Sequence, residues 1–176
     1  DNAVGWLDTV GFDKTHDAGT SQGWCPGVVD TNGDGKISTG WTEPTEPVLP
    51  GRDHRITFGC YSVTVNPKDG SLWCSGIGSG DKRLVRLEKG PNPPEACKAE
   101  FFEPPLGQKP ELIGTGGIEA AADGVVYQGW RVSGHFTGFD RTKCKSTADP
   151  KSEGHSCDEG WTIYRDPKEP TFTNSV

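Results

Sequence analysis

"DGSLW", Asp69 to Trp73, and "DGVVY", Asp123 to Tyr127, decide how this chain is read. Both open with an Asp-Gly turn and run into alternating apolar residues that end on an aromatic ring, the pattern of a hairpin entering a strand. They stand 54 residues apart. Each is followed by a Gly-rich break and a second strand that ends on an apolar, acidic, basic triplet. The triplets are Leu87, Glu88, Lys89 in "RLVRLEKG" and Phe139, Asp140, Arg141 in "HFTGFDRT". A third copy occurs in "VGFDKT" at Phe12, Asp13 and Lys14. After each triplet come a cysteine and a strand-like run that stops at proline: Cys25 ahead of "GWTEP", Cys97 ahead of "AEFFEPP", Cys157 ahead of "GWTIYRDP".

Turn, strand, strand, excursion with a cysteine, strand and proline together outline a propeller blade, an antiparallel sheet whose proline marks an edge or crossover. The expected fold is therefore all-β: about three antiparallel four-stranded blades of an incomplete propeller over residues 1–176. The triplets are spaced by 75 and then 52 residues. A compact blade takes about 40 to 45, so the surplus falls in the excursions, the largest of which spans residues 15–45. Closure takes about four to eight blades, so the remaining blades are expected from the same polypeptide or another subunit. A β-sandwich is the competing architecture, since it too shows closely spaced turn signals. No stretch sustains a helical apolar period, so helix content should be low. "GPNPPEAC", residues 90–97, is too rich in proline for helix or central strand and reads as a surface connection.

Composition agrees with short strands and many turns: of 176 residues 31% are hydrophobic, 25 are Gly and 14 are Pro. The net charge is −7 and the basic residues are scattered. Nucleic acid is thereby excluded as a partner, because phosphate binding needs clustered positive charge. No apolar run is long enough for a membrane span, and no charged-then-apolar leader opens the chain at Asp1. The chain holds no Met, which predicts a processed form or an internal piece. Six cysteines without a CxxC argue against a zinc ribbon, a thioredoxin-type site or a c-type haem. Their even number in an acidic, turn-rich chain predicts disulfides and a secreted or periplasmic setting. Cys144 and Cys157 bracket one polar loop and should pair. Cys60 and Cys74 flank one hairpin and would face each other, leaving Cys25 for Cys97; exchanged partners among these four remain open.

The largest excursion contains "DTNGDGKIS", residues 30 to 38. Calcium takes six to eight oxygens, which a loop supplies when carboxylates alternate with turn residues. Asp30, Asn32 and Asp34 hold the first, third and fifth positions, Gly35 gives the turn, and Lys36 would offer its carbonyl. Ile37 would anchor the loop to a core. The twelfth position, where an EF-hand has a bidentate Glu, is Trp41, and the flanks are not helical. The loop reads as a free-standing calcium loop with Glu43 as the missing carboxylate, and Ser38 or Thr39 acting directly or through water. The alternative is an Asx-rich turn without metal. A structural rather than catalytic ion is expected, since an excursion with little core needs its ordering entropy offset.

His16, His54, His135 and His155 are dispersed, and no GxSxG or HExxH occurs. His135, at a strand start, is the single candidate for catalysis, against the alternative of a plain strand histidine. His16 is placed to brace the excursion through Asp13 or Asp17. Trp41, Trp73 and Trp161 are expected in the core rather than in a sugar-stacking platform.

The segments "NPKDGSLWCSGIGSGDKRLVRLEKG" and "AADGVVYQGWRVSGHFTGFDRTKC" resemble secreted bacterial β-propellers related to the streptogramin lyase-like family. "GWCPGVVDTNGDGKI", followed by "WTEP" and "NPPEAC", resembles large extracellular proteins often labelled carboxypeptidase regulatory-like. The resemblance implies a propeller of six or seven blades. It also implies a site of histidine, acidic residues and a divalent ion at the funnel mouth, to which only His135 corresponds here. Shared fold is not shared function. The reading is a non-enzymatic, calcium- and disulfide-stabilised propeller segment that serves as a binding or assembly scaffold. The alternative is a lyase or hydrolase acting on an extracellular ester or glycan, its site completed by blades outside this chain.

Overall fold

The computed structural model describes residues 3–76, 82–105, 112–145 and 157–164. β1 (Ala3–Leu7) pairs antiparallel with β2 (Gln22–Pro26), and between them lie α1 (Thr9–Thr15) and the single-turn α2 (Ala18–Ser21). β3 (Val28–Val29) and β4 (His54–Arg55) form a second short antiparallel pair. Two four-stranded antiparallel meanders follow. The first runs β5 (Ser62–Val65), β6 (Leu72–Ser75), β7 (Leu84–Glu88), β8 (Lys98–Phe102); the second runs β9 (Thr115–Ala120), β10 (Val126–Trp130), β11 (His135–Phe139), β12 (Trp161–Tyr164). The protein is thus mostly β, with antiparallel sheets of four strands. Among the described residues helix is confined to α1, α2 and two 3-10 turns, none long and apolar enough to cross a membrane.

Two expected strands are absent. The triplet Phe12, Asp13, Lys14 lies inside α1. Asp8 caps that helix by accepting from the Gly11 amide at 2.8 Å, and His16 ends it in the left-handed region at φ 54°. Capping chemistry on both sides decides the conformation, and a three-residue triplet carries no period to oppose it. The run "GWTEP" makes only one parallel bridge, Thr42 to His54, because Pro44, Pro47 and Pro50 deny the segment a ladder. The first of the three expected units therefore has no four-stranded sheet among the described residues, whereas the other two do.

The two Asp-Gly turns occupy matching places. Asp69 and Gly70 join β5 to β6, while Asp123 and Gly124 join β9 to β10. In each, the aspartate accepts from the amide two residues on, Ser71 at 2.9 Å and Val125 at 3.0 Å. The glycines stand at φ 71° and 89°, which side chains with a Cβ resist. The turns also touch: Asn66 Nδ2 donates to the Gly124 carbonyl at 2.9 Å.

This contact continues along the strands. β9 pairs with β10 on one side only, so its other edge presents backbone groups that must find partners. Side chains of the first sheet supply them. The Ile118 amide donates to Ser62 Oγ at 3.0 Å, the Ala120 amide to Thr64 Oγ1 at 3.3 Å, and Ser75 Oγ donates to the Gly116 carbonyl at 2.8 Å. Alternation in "SVTV" places Ser62 and Thr64 on one face for this purpose and leaves Val63 and Val65 exposed on the other.

Behind this seam the sheets enclose an aromatic core of Trp73, Leu84, Phe102, Ile118, Val126, Phe139 and Trp161. Ring centroids lie 5.8 Å apart for Trp73 and Phe102, 4.6 Å for Phe102 and Phe139, and 4.8 Å for Phe139 and Trp161. Such pairs add about 0.5–1.5 kcal/mol each beyond area burial. Trp73 and Trp161 are core residues as expected; Trp41 is half-buried and outside both clusters. A second cluster covers the opposite face of the first sheet, where Cys74, Val85, Leu87 and Phe101 meet Val29 and Ile56. β7 is therefore buried on both faces, and all four residues from Leu84 to Leu87 are buried.

Arg86 interrupts that run with a charge and is held by partners. Its side chain is only 7% exposed and lies opposite Glu100 of β8. It donates to Glu100 at 3.0 Å, Glu88 at 3.1 Å and Asp69 at 2.8 Å. Glu100 also receives both Nε and Nη2 of Arg141, at 2.7 and 2.6 Å, from the turn after β11. The cluster thereby clamps one sheet to the other. Burial works to raise the Asp69 pKa, but the Ser71 hydroxyl and amide and the Arg86 charge outweigh it and bring it down from 3.8 to about 2.

Two outcomes are expected. Thr64→Val removes the acceptor for Ala120 without changing shape and should cost about 1–3 kcal/mol in urea unfolding, while Val63→Thr on the exposed face should stay within about 0.5 kcal/mol. Equal costs would contradict the edge-capping role. A carboxyl depressed on folding contributes stability above its unfolded pKa and loses it as pH falls through the folded one. Asp69→Asn should therefore weaken the fold at neutral pH and flatten its acid limb between about pH 4 and pH 2. An unaltered acid limb would show that Asp69 does not act in this way.

Candidate metal-binding loop

Residues 30–38 leave β3 and fold on themselves through a chain of Asx turns. Asp30 accepts from the Gly33 and Gly35 amides, each at 2.8 Å; Asn32 accepts from Asp34 at 2.9 Å; Asp34 accepts from Lys36 at 2.8 Å. Gly33 and Gly35 take φ 77° and 80°. Ile37 is 5% exposed and fixes the end of the loop in the protein. The sequence places three oxygen side chains at alternate positions, and in the fold each accepts from an amide of the same short turn. Each bond takes one lone pair, and a carboxylate has about four such sites, so all three side chains retain free acceptor capacity. The ammonium of Lys98 lies 3.8 Å from the point a Cβ on Gly35 would occupy.

Glu43 is engaged elsewhere: it accepts from Trp41 Nε1 at 3.1 Å and from Arg55 Nη1 at 3.2 Å. The residue that meets the loop is Asp53, which the sequence did not single out. Asp53 Oδ2 accepts from the Ser38 amide at 2.6 Å, whereas Oδ1 is buried and without a partner. Asp53 is fully buried at 0% exposure. Burial raises its pKa, the Ser38 bond opposes this, and the charges of Asp30 and Asp34 raise it further. Nothing in "GRDHR" announces such a carboxylate; its position follows from β4, which carries it beneath the loop, and no short-range signal reveals that. Among the described residues no three His, Cys, Asp or Glu side chains are gathered into a metal cage.

Neighbouring bonds tie the excursion down. Thr31 Oγ1 donates to the Arg52 carbonyl at 2.8 Å, the Thr42 amide donates to the Asp53 carbonyl at 2.9 Å, and Thr42 Oγ1 meets His54 Nδ1 at 2.8 Å in a buried pair. Residues 15–45 thus contain α2, β2 and β3 as well as the loop. Cys25 of β2 is bonded to Cys97 just ahead of β8, and the other bridges are Cys60–Cys74 and Cys144–Cys157. All three pairs are those expected. On the chain-entropy account a crosslink over 72 residues contributes about 4.4 kcal/mol and one over 14 about 3. The largest covalent constraint therefore falls on the excursion. Three disulfides are characteristic of an oxidising, non-cytoplasmic setting.

Among the described residues the histidines do not assemble. His135 opens β11 opposite Trp130, half-buried, with Nδ1 unpartnered. His16 sets its ring edge-on to Phe12 at 6.0 Å at the end of α1, rather than bracing the loop. His155 and most of the polar loop between Cys144 and Cys157 lie outside the described residues. Comparison with protein-family models, curated proteins and solved structures returns no match.

Proposed function

We propose that this chain is a segment of a secreted β-propeller, stabilised by calcium and disulfides, that acts as a binding or assembly scaffold. The observation that carries the reading is an open sheet face beside a closed one. The two meanders stack through their first strands, with an Asp-Gly turn at the same place in each, as neighbouring blades would. The far face of the second meander carries Tyr127, Phe136 and Tyr164 in a row, with centroid separations of 5.3 and 5.9 Å. Phe136 and Tyr164 are 45% and 46% exposed. A contiguous apolar surface of this kind calls for a partner. A further blade, from the same polypeptide or another subunit, fits it. The Asx loop, with Asp30, Asn32, Asp34 and the Lys36 carbonyl as ligands, supplies a calcium site that braces the excursion. An extracellular lyase or hydrolase has only His135 to stand on in this chain, and general acid-base chemistry needs a positioned partner.

Sedimentation velocity tests the open face. The wild-type chain should self-associate as its concentration rises. Phe136→Ser/Tyr164→Ser should remain monomeric and melt within about 2 °C of wild type, as surface substitutions do. A monomeric wild type, or a double variant that loses the several degrees typical of core residues, would contradict the scaffold reading.

A further inference from the structure

We infer that Asp53 is the closing ligand of the cation site, taking the place that spacing along the sequence gives to Glu43. This rests on the calcium reading above and extends it. A carboxylate wholly removed from solvent normally has every oxygen partnered, because a buried unpaired acceptor forfeits its hydration without return. Asp53 departs from this rule: Oδ2 is satisfied by Ser38, the residue that ends the loop, and Oδ1 faces no donor. Through the Ser38 bond its carboxyl stands against the end of the loop, where a buried acceptor without a donor would be satisfied by a bound cation.

Glu43 lacks these properties. It is exposed and is turned to Trp41 and Arg55, with no hydrogen bond to the loop. With Asp53 the donor set becomes three carboxylates, one amide oxygen and one main-chain carbonyl, all hard oxygens. Water or bidentate binding completes the six to eight that calcium takes. A mixed oxygen set closed by a residue remote in sequence suits calcium better than magnesium, which demands near-ideal octahedral geometry. The ion would then join residue 30 to residue 53 across the excursion, and so act as a clasp rather than as a local turn stabiliser.

Calorimetric titration of the decalcified full chain with calcium chloride tests this, using wild type, Asp53→Asn, Asp53→Ser and Glu43→Gln. Wild type should bind one equivalent, both Asp53 variants should bind at least about 100-fold more weakly, and Glu43→Gln should stay within about twofold. Near-UV circular dichroism of each apo variant reports whether it folds. Asp53→Asn keeps an acceptor for Ser38, and Asp53→Ser leaves room for water. Tight binding retained by a folded Asp53 variant overturns the assignment of Asp53 while leaving the calcium reading intact. No binding by wild type at millimolar calcium overturns both.

Discussion

Where β5 passes β9, the exposed edge of a strand is closed by hydroxyl groups instead of by another strand. Ser62 and Thr64 accept from the Ile118 and Ala120 amides, and Ser75 donates to the Gly116 carbonyl. An unpaired edge is costly when buried and hazardous when exposed. The hydroxyls remove both problems and set the register of one sheet on the other. That register brings Trp73, Phe102, Phe139 and Trp161 into a single aromatic cluster, and it brings Arg141 onto Glu100. A chain that is 31% hydrophobic has few apolar residues to spend, and they are concentrated in the two clusters on either side of β5–β8.

The region ahead of those sheets has to be held by other means. β1 to β4 are short, and the loop between β3 and β4 contributes Ile37 but no other apolar side chain to the buried set. Its order comes from the Cys25–Cys97 bridge, from hydrogen bonds of Thr31, Thr42 and Asp53, and on our account from a cation. The paired sheets leave one aromatic face open, while the excursion packs Val29 against the first sheet and is bonded to it through Cys25–Cys97.

Much of the sheet region was legible in the sequence because its signals are local. Asp-Gly turns followed by alternating residues mark β5 to β6 and β9 to β10, and proline marks the end of β8. The Cys144–Cys157 pair was readable because its cysteines bracket one loop, whereas the sequence left partners open among Cys25, Cys60, Cys74 and Cys97 and the fold decides them. α1 was misread because the Phe12, Asp13, Lys14 triplet is not itself a strand signal, whereas Asp8 at its cap is a helix signal. Arg86 in an apolar strand gave no hint of three acidic partners. Asp53 was invisible for the same reason: its significance comes from burial and from Ser38, which only the folded chain brings to it.

The most direct measurement is amide hydrogen exchange on the full chain, followed by mass spectrometry in millimolar calcium and in excess EDTA. If a cation clasps the excursion, calcium should slow exchange in peptides from residues 30–56 and leave β6, β7 and β10 unchanged. Identical exchange of residues 30–56 in the two conditions would contradict the account, as would a uniform slowing across both sheets.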